Sequence, residues 1–382
     1  MPVNPLKIFF PGKLVFGNGT LVQLADDVLE LKPAKVFIAT IIPLKEAIAD
    51  FIALLERSRI TILTDTSIVQ EPTFSDFEKL MQTVTPFNPD IVIGIGGGSV
   101  LDIAKLVAAQ LENEQQLQEY VGIGLLKGRK KKLICVPATS GTGSEVSPNA
   151  ILVDEDNQKK GIISPYLVPD IVYVDPMLTI SVPPAITAAT GIDALTHCLE
   201  AYTNKFALPF IDMYAYEGIR LIAANIETAV KEGNNVEART QVAMGSLYGG
   251  FCLGPVNTAG VHALSYPLGS MFHLAHGLSN ALLLPYVMEY NIPAAEKRYA
   301  DVAVALGCER QSNDEATAYA GVSKIKSLIK ACGIPATLKE VNVPESAIPQ
   351  MAVDALKIQR LLKNNPRPIE EKDAVEIYKA AY

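Results

Sequence analysis

The sequence predicts two folds in one chain: an α/β domain on a parallel sheet over residues 1–183, then an all-α domain over residues 184–382. Three observations carry this reading. Five short apolar runs rich in Val and Ile alternate with helical patterns in the first half. Strand signals stop after Asp175-Pro176, and beyond Pro184 the chain turns to Ala, Leu and Glu at helical spacing. At 382 residues the chain also exceeds what one hydrophobic core usually supports.

Near the start, residues 7–17 predict a hairpin turning at Pro11-Gly12. Residues 35–40, 60–64, 90–95, 133–137 and 171–175 read as strands buried on both faces, with helical patterns between them, for example over 43–58 and 75–84. That is the β-α-β arrangement of a parallel sheet. The boundary falls near Val182-Pro-Pro184, and no repeat or low-complexity linker interrupts the chain.

Composition excludes several classes of function. A net charge of −8, with one basic run at Lys127-Gly-Arg-Lys-Lys-Lys132, gives no footprint for nucleic acid, and the run reads as a solvated loop before a strand. No run of 18 apolar residues predicts a membrane span, and Met1-Pro-Val-Asn-Pro-Leu-Lys7 lacks a basic-then-apolar signal, so a cytoplasmic protein is expected. Five scattered cysteines without a CxxC pair read as buried free thiols rather than disulfides or a thiolate metal site. With 49% hydrophobic and only 19% charged residues, extra burial in a homodimer or higher homo-oligomer is expected.

Two glycine-bearing loops follow strands of the first domain. Residues 91–105 run from a strand through Gly94, Gly96, Gly97 and Gly98 into a helix, a shape that lets backbone N–H groups and a helix dipole meet a phosphate. The sequence is neither GxGxxG nor a P-loop, and a plain tight turn would look the same. Pro137-Ala-Thr-Ser-Gly-Thr-Gly-Ser-Glu145 packs hydroxyls and amides into a second turn, placed at the same carboxyl edge of the sheet.

All four histidines lie between His197 and His276. A lone histidine on an apolar helix is ordinarily a satisfied core or surface residue, so the grouping is what matters. Asp193 and His197 are four apart and share one helical face. His262 and His276 are separated by Pro267 and Gly269, where a bend would bring both imidazoles to one point. One carboxylate and three neutral nitrogens suit zinc or ferrous iron and leave a position for substrate.

These motifs resemble the iron-containing (group III) alcohol dehydrogenases. The resemblance rests on Gly96-Gly-Gly-Ser-Val-Leu-Asp102 with Lys105, on Ala138-Thr-Ser-Gly-Thr-Gly-Ser-Glu145 and on Gly191-Ile-Asp-Ala-Leu-Thr-His-Cys-Leu-Glu-Ala201. It rests also on Gly260-Val-His-Ala-Leu-Ser-Tyr-Pro-Leu-Gly269 through His276-Gly-Leu-Ser-Asn-Ala-Leu-Leu-Leu-Pro285. It implies a Rossmann-like dinucleotide-binding domain and an all-α metal-binding domain. It also implies ligands Asp193, His197, His262 and His276, with Fe2+ as the usual metal and Zn2+ in some members. Cofactor contacts for NAD or NADP map to Gly97, Gly98, Ser99, Asp102, Thr139, Thr142, Lys160 and Leu178. The implied activity interconverts a small primary alcohol or diol and its aldehyde, acting in cells as an aldehyde reductase. Rival readings are a hydroxyacid dehydrogenase or hydroxyacid-oxoacid transhydrogenase of the same fold, and a lyase similar to dehydroquinate synthase.

Two departures from the family pattern stand out. Many members carry a second histidine four residues after the ligand equivalent to His262, where this chain has Tyr266, so Tyr266 and His273 become the candidates for proton relay or substrate contact. NAD-preferring relatives often carry Asp after the strand at 35–40, and here Ile41 removes the charge that would repel a 2′-phosphate.

Overall fold

The computed structural model describes residues 6–68, 71–155 and 158–382; of the segment read for a secretion signal, residues 1–5 lie outside the described residues. Two compact units form. The first is Met1–Thr139 with Ser144–Ile180, and the second is Ser140–Gly143 with Ser181–Tyr382.

In the first unit the elements run β1 (Lys13–Phe16), α1 (Leu21–Glu30), β2 (Lys35–Ala39), α2 (Ala49–Arg57), β3 (Thr61–Asp65), α3 (Phe74–Phe87), β4 (Ile91–Gly96) and α4 (Gly98–Gln110). They continue with β5 (Gly122–Ile123), β6 (Lys132–Pro137), β7 (Asn149–Val153), β8 (Lys159–Ile163) and β9 (Ile171–Val174). Six strands make one parallel sheet in the order β1-β9-β6-β4-β2-β3. Alternation along the strands sends Phe37, Val92 and Leu133 into one core and Val36, Ile38, Ile93 and Ile134 into the other, the period of two expected of a sheet covered on both faces. Gly94 permits the close approach of α4, because a Cβ there would stand 2.8 Å from the Ala104 Cβ. The winding reverses between β2 and β4, so the turns after these strands flank the crevice where open α/β sheets take ligands.

Three local expectations are corrected. Residues 7–17 do not form a hairpin: β1 begins at Lys13 and satisfies its polar groups by lying parallel beside β9 at the sheet edge. The segment over 43–58 is helical in two pieces, a 3-10 turn at Ile42–Leu44 and then α2. The basic run is not simply solvated, since Arg129 binds Asp170 at 2.6 Å and Lys131 binds Glu112 at 2.6 Å. A further feature had no counterpart in the sequence reading: β7 and β8 pair antiparallel and, with β5, form a separate three-stranded sheet.

The second unit is helical: α5 (Pro184–Thr203), α6 (Pro209–Lys231), α7 (Val236–Leu253), α8 (Gly260–Phe272), α9 (His276–Ala305, kinked at Ala295), α10 (Asp314–Ala331), α11 (Ile348–Leu356), α12 (Gln359–Leu362) and α13 (Glu371–Ala380). Its core packs α5 against α6, α7 and α9, and α5 is buried nearly all round. Pro183 and Pro184 set its start, where a missing N–H costs nothing. Among the described residues no helix is long and apolar enough to cross a membrane, and all five cysteines are free.

Candidate metal centre and nucleotide loops

Asp193 and His197 lie one turn apart on α5, His262 sits in the first turn of α8, and His276 is the first residue of α9. The chain reversal between the last two is not made by Pro267 and Gly269, through which α8 runs without interruption. The helix ends instead at His273, which takes the left-handed conformation (φ 55). His273 is exposed at that end rather than part of the buried ligand set.

Around Asp193 Oδ1 the imidazole Nε2 atoms of His262, His276 and His197 stand at 3.6, 3.7 and 3.8 Å. Two ligands about 2.1 Å from a tetrahedral ion are ~3.4 Å apart, and the ligand atoms of Asp193, His262 and His276 lie within 4.8 Å of one another, a grouping that His197 adjoins through Asp193 without joining it. One atom now occupies the point of convergence. The side-chain nitrogen of Asn280 lies 2.6 Å from Asp193 Oδ1, 3.1 Å from His262 Nε2 and 3.3 Å from His276 Nε2. An amide nitrogen with two hydrogens cannot satisfy all three of these neighbours, and the Asn280 Oδ1 is buried without a hydrogen-bond partner. The amide nitrogen therefore stands in for a positive centre, and a divalent cation satisfies the same donor set better.

The electrostatics agree. Burial alone would raise the Asp193 pKa, but the surrounding imidazoles outweigh it and hold the carboxyl well below the usual range. Burial is the first cause that lowers His197, with Asp193 opposing it. For His262 burial is outweighed by Glu200 and Asp193, so its pKa is raised.

Glu200 carried no role in the sequence reading. Its Oε2 lies 2.6 Å from His262 Nδ1 and its Oε1 accepts from the Val261 N–H at 2.6 Å. An ionised carboxylate only accepts, so Nδ1 carries the hydrogen and Nε2 is left facing Asp193. The signal was present: Asp193, His197 and Glu200 follow an i, i+4, i+7 stripe of one helix. Asn280, four residues after His276, had a similar signature.

In the first unit Gly97 caps α4 without a side-chain hydrogen bond, so the first-turn N–H groups of Gly98 and Ser99 keep their capacity for an anion. By contrast α3 is closed by a Thr73 capping box. Thr139 lies beside Gly97, as a Cβ built there would be 3.5 Å from its Oγ1. The Asp102 carboxylate accepts from Ser144 Oγ at 2.5 Å and from the Ile151 N–H at 2.9 Å, which ties the second loop to α4. Lys105, wholly buried, donates to the carbonyls of Ser147 and Asn149 in the same tie. Leu178 is buried in the 3-10 turn after β9, Lys160 on β8 pairs with Asp154, and Thr142 belongs to the loop tip in the second unit.

Residues 11–176 match the model of the iron-containing alcohol dehydrogenases, and residues 187–382 match the C-terminal model of the same family. The chain belongs to the iron-containing alcohol dehydrogenase family. It is 40% identical to the long-chain-alcohol dehydrogenase 1 of Geobacillus thermodenitrificans over 98% of this chain and 96% of that protein. It is 31% identical to a sulfoacetaldehyde reductase of Bilophila wadsworthia over 97% of each. A crystal structure of a 1,3-propanediol oxidoreductase superposes with a TM-score of 0.95 at 31% identity, covering 99% of this chain and 100% of that one. As a member of this iron-containing family the chain is an NAD-linked alcohol/aldehyde oxidoreductase, and the family works with a divalent metal.

Proposed function

We propose that the protein interconverts a small primary alcohol or diol and its aldehyde, acting in cells as a cytoplasmic aldehyde reductase and homo-oligomer. The convergence of Asp193 Oδ1 and the imidazole nitrogens of His197, His262 and His276 carries this reading. These four residues would hold Fe2+ or Zn2+. Such a cation supplies Lewis-acid chemistry, favouring the alkoxide form of an alcohol and polarising an aldehyde carbonyl. Glu200 fixes the ring of His262, and Asp193, His197 and His262 are buried while His276 is partly exposed and forms the open side of the set. Gly97, Gly98, Ser99 and Thr139 form the anion-accepting turn of the parallel-sheet unit, with Thr142, Lys160 and Leu178 as further nucleotide contacts and Asp102 as the brace between the two loops. Ile41 follows β2 beside the switch point without acidic charge, which leaves NADP as acceptable as NAD.

The relatives' names span long-chain alcohols, propanediol and sulfoacetaldehyde, so the substrate is sought by a panel. Metal-stripped protein reloaded with Fe2+ or Zn2+ should reduce short aldehydes with NADH or NADPH, and sedimentation should show a dimer or larger. His276→Ala should lose bound metal and turnover together while still binding nucleotide. Full metal content with a normal rate in that variant would refute the ligand assignment.

A further inference from the structure

In the second unit Arg239 and Arg367 give their guanidinium N–H groups to carbonyls and a hydroxyl, whereas Arg360 lies beside the candidate ligand set with neither a carboxylate nor a carbonyl as partner among the described residues. Arg360, on α12, donates to Tyr266 Oη at 2.9 Å, and its Cζ lies 5.8 Å from the centre of the Tyr266 ring. Tyr266 is one turn after His262 on α8, and its ring centre stands 6.1 Å from that of His276, edge-on. The fold thus brings a cation from 94 residues away to the neighbour of two candidate metal ligands. The sequence between His262 and His276 contains no Lys or Arg.

Other arginines of this unit that rest on tyrosines are already engaged. Arg298, over Tyr202, pairs with Asp212 at 2.7 Å, and Arg367, over Tyr290, donates to the Tyr290 carbonyl at 2.9 Å. Arg360 has no carboxylate within salt-bridge distance among the described residues. The acids nearest the ligand set, Asp193 and Glu200, are committed to the imidazoles. A guanidinium has five N–H donors, and one of them is used here. Tyr266, which holds one edge of the guanidinium, leaves its planar fork free to take two oxygens of an acid group.

We propose that Arg360, positioned by Tyr266, is a specificity-determining residue that recognises an acid group at the far end of the substrate, so that the preferred substrate is a short aldehyde ending in a carboxylate or sulfonate. This rests on the reading of Asp193 and the histidines as the reacting end of the site. Neutral aldehydes fit the same reacting end but leave the guanidinium without a counter-ion, so discrimination appears in KM more than in kcat.

The test compares succinic semialdehyde, its methyl ester and the sulfonate counterpart on metal-loaded enzyme, in wild type, Arg360→Leu and Arg360→Lys. Wild type should prefer the acids over the ester. Arg360→Leu should lower kcat/KM for the acids about 10- to 100-fold, mainly through KM, with a far smaller change for the ester, and Arg360→Lys should restore part of the loss. Calorimetric titration with 4-hydroxybutanoate without nucleotide should show the same loss of affinity in Arg360→Leu, a readout independent of turnover. Which of the two acids responds more identifies the acid group. Equal losses on acid and ester, or a wild type that favours the ester, would overturn the inference while leaving the aldehyde reductase reading intact. Turnover of none of the three by metal-loaded wild type would count against that underlying reading instead.

Discussion

Replacing Glu200 by Gln tests how the site holds its metal. The substitution preserves shape, but an amide presents one acceptor where the carboxylate presents two, at 2.6 Å to His262 Nδ1 and 2.6 Å to the Val261 N–H. Whichever way the amide turns, a donor faces a donor in a site that is 3% exposed at Glu200 and at His262. One buried donor left unmatched costs about 1–3 kcal/mol, and partners of this kind are worth roughly 10- to 100-fold in metal affinity. Competition with a chromogenic chelator should therefore show the dissociation constant for Zn2+ rising by that factor near neutral pH. The gap should widen towards alkaline pH. Burial pulls the wild-type His262 down, but Glu200 and Asp193 outweigh it and hold the imidazole at about 10, so protons compete with the metal below that value. In the variant the competition is weaker, and part of the neutral-pH loss is offset. Unchanged metal affinity at every pH would mean that Glu200 braces the α5–α8 contact alone, and the orientation argument would be wrong.

Two further outcomes follow from the first unit. Gly97→Val should weaken NAD(H) binding by about 10-fold or more, because the side chain covers the open N–H groups of α4, yet cost about 1 kcal/mol or less in stability. The added Cβ meets Thr139 Oγ1 only at 3.5 Å, an ordinary contact, so unchanged affinity by titration calorimetry would reduce the loop to a structural turn. Asp170 accepts from Arg129 and from the Leu133 N–H. Burial raises its pKa, but these partners outweigh it and leave it lowered from 3.8. A depressed folded pKa gives stability that is complete above 3.8 and fades as pH falls through the lower folded value. Asp170→Asn should thus cost about 1–3 kcal/mol by urea unfolding at neutral pH, with the gap to wild type closing in acid; a gap independent of pH would contradict the assignment.

The strands at β2, β4, β6 and β9 were legible because burial on both faces demands continuous β-branched runs, whereas β3, also expected to be buried on both faces, lies at the sheet edge and is only partly covered. The small sheet was not. Residues 149–153 and 159–163 are short, partly exposed and of mixed polarity, so no periodicity distinguished them from loop. The metal set was legible in identity, since residue type and the helical spacing of Asp193 and His197 follow from coordination chemistry. How His262 and His276 meet was misjudged, because Pro267 is a helix breaker in general but sits here in a helix that continues, and an unremarkable His273 makes the reversal. Arg360 gave no local sign at all. Its neighbourhood is created by tertiary packing between α12 and α8, and a contact spanning 94 residues leaves no mark in sequence spacing.

The tip of the loop after β6, Ser140–Gly143, belongs to the helical unit although the chain on both sides of it belongs to the sheet unit. A Cβ at Gly143 would stand 2.3 Å from the Gly250 Cα, and one at Gly141 would stand 2.8 Å from the Thr190 Cβ, so the tip is fitted tightly against α7 and α5. Four residues therefore travel with the wrong half of the gene. A chimaera spliced at residue 181 would pair the helices of one parent with the plug of another, and an isolated fragment beginning there would carry an open notch. Recombination among relatives should succeed only where both parents supply compatible residues at 140–143 as well as beyond the junction, so inheritance in this protein is less modular than its two-unit layout suggests.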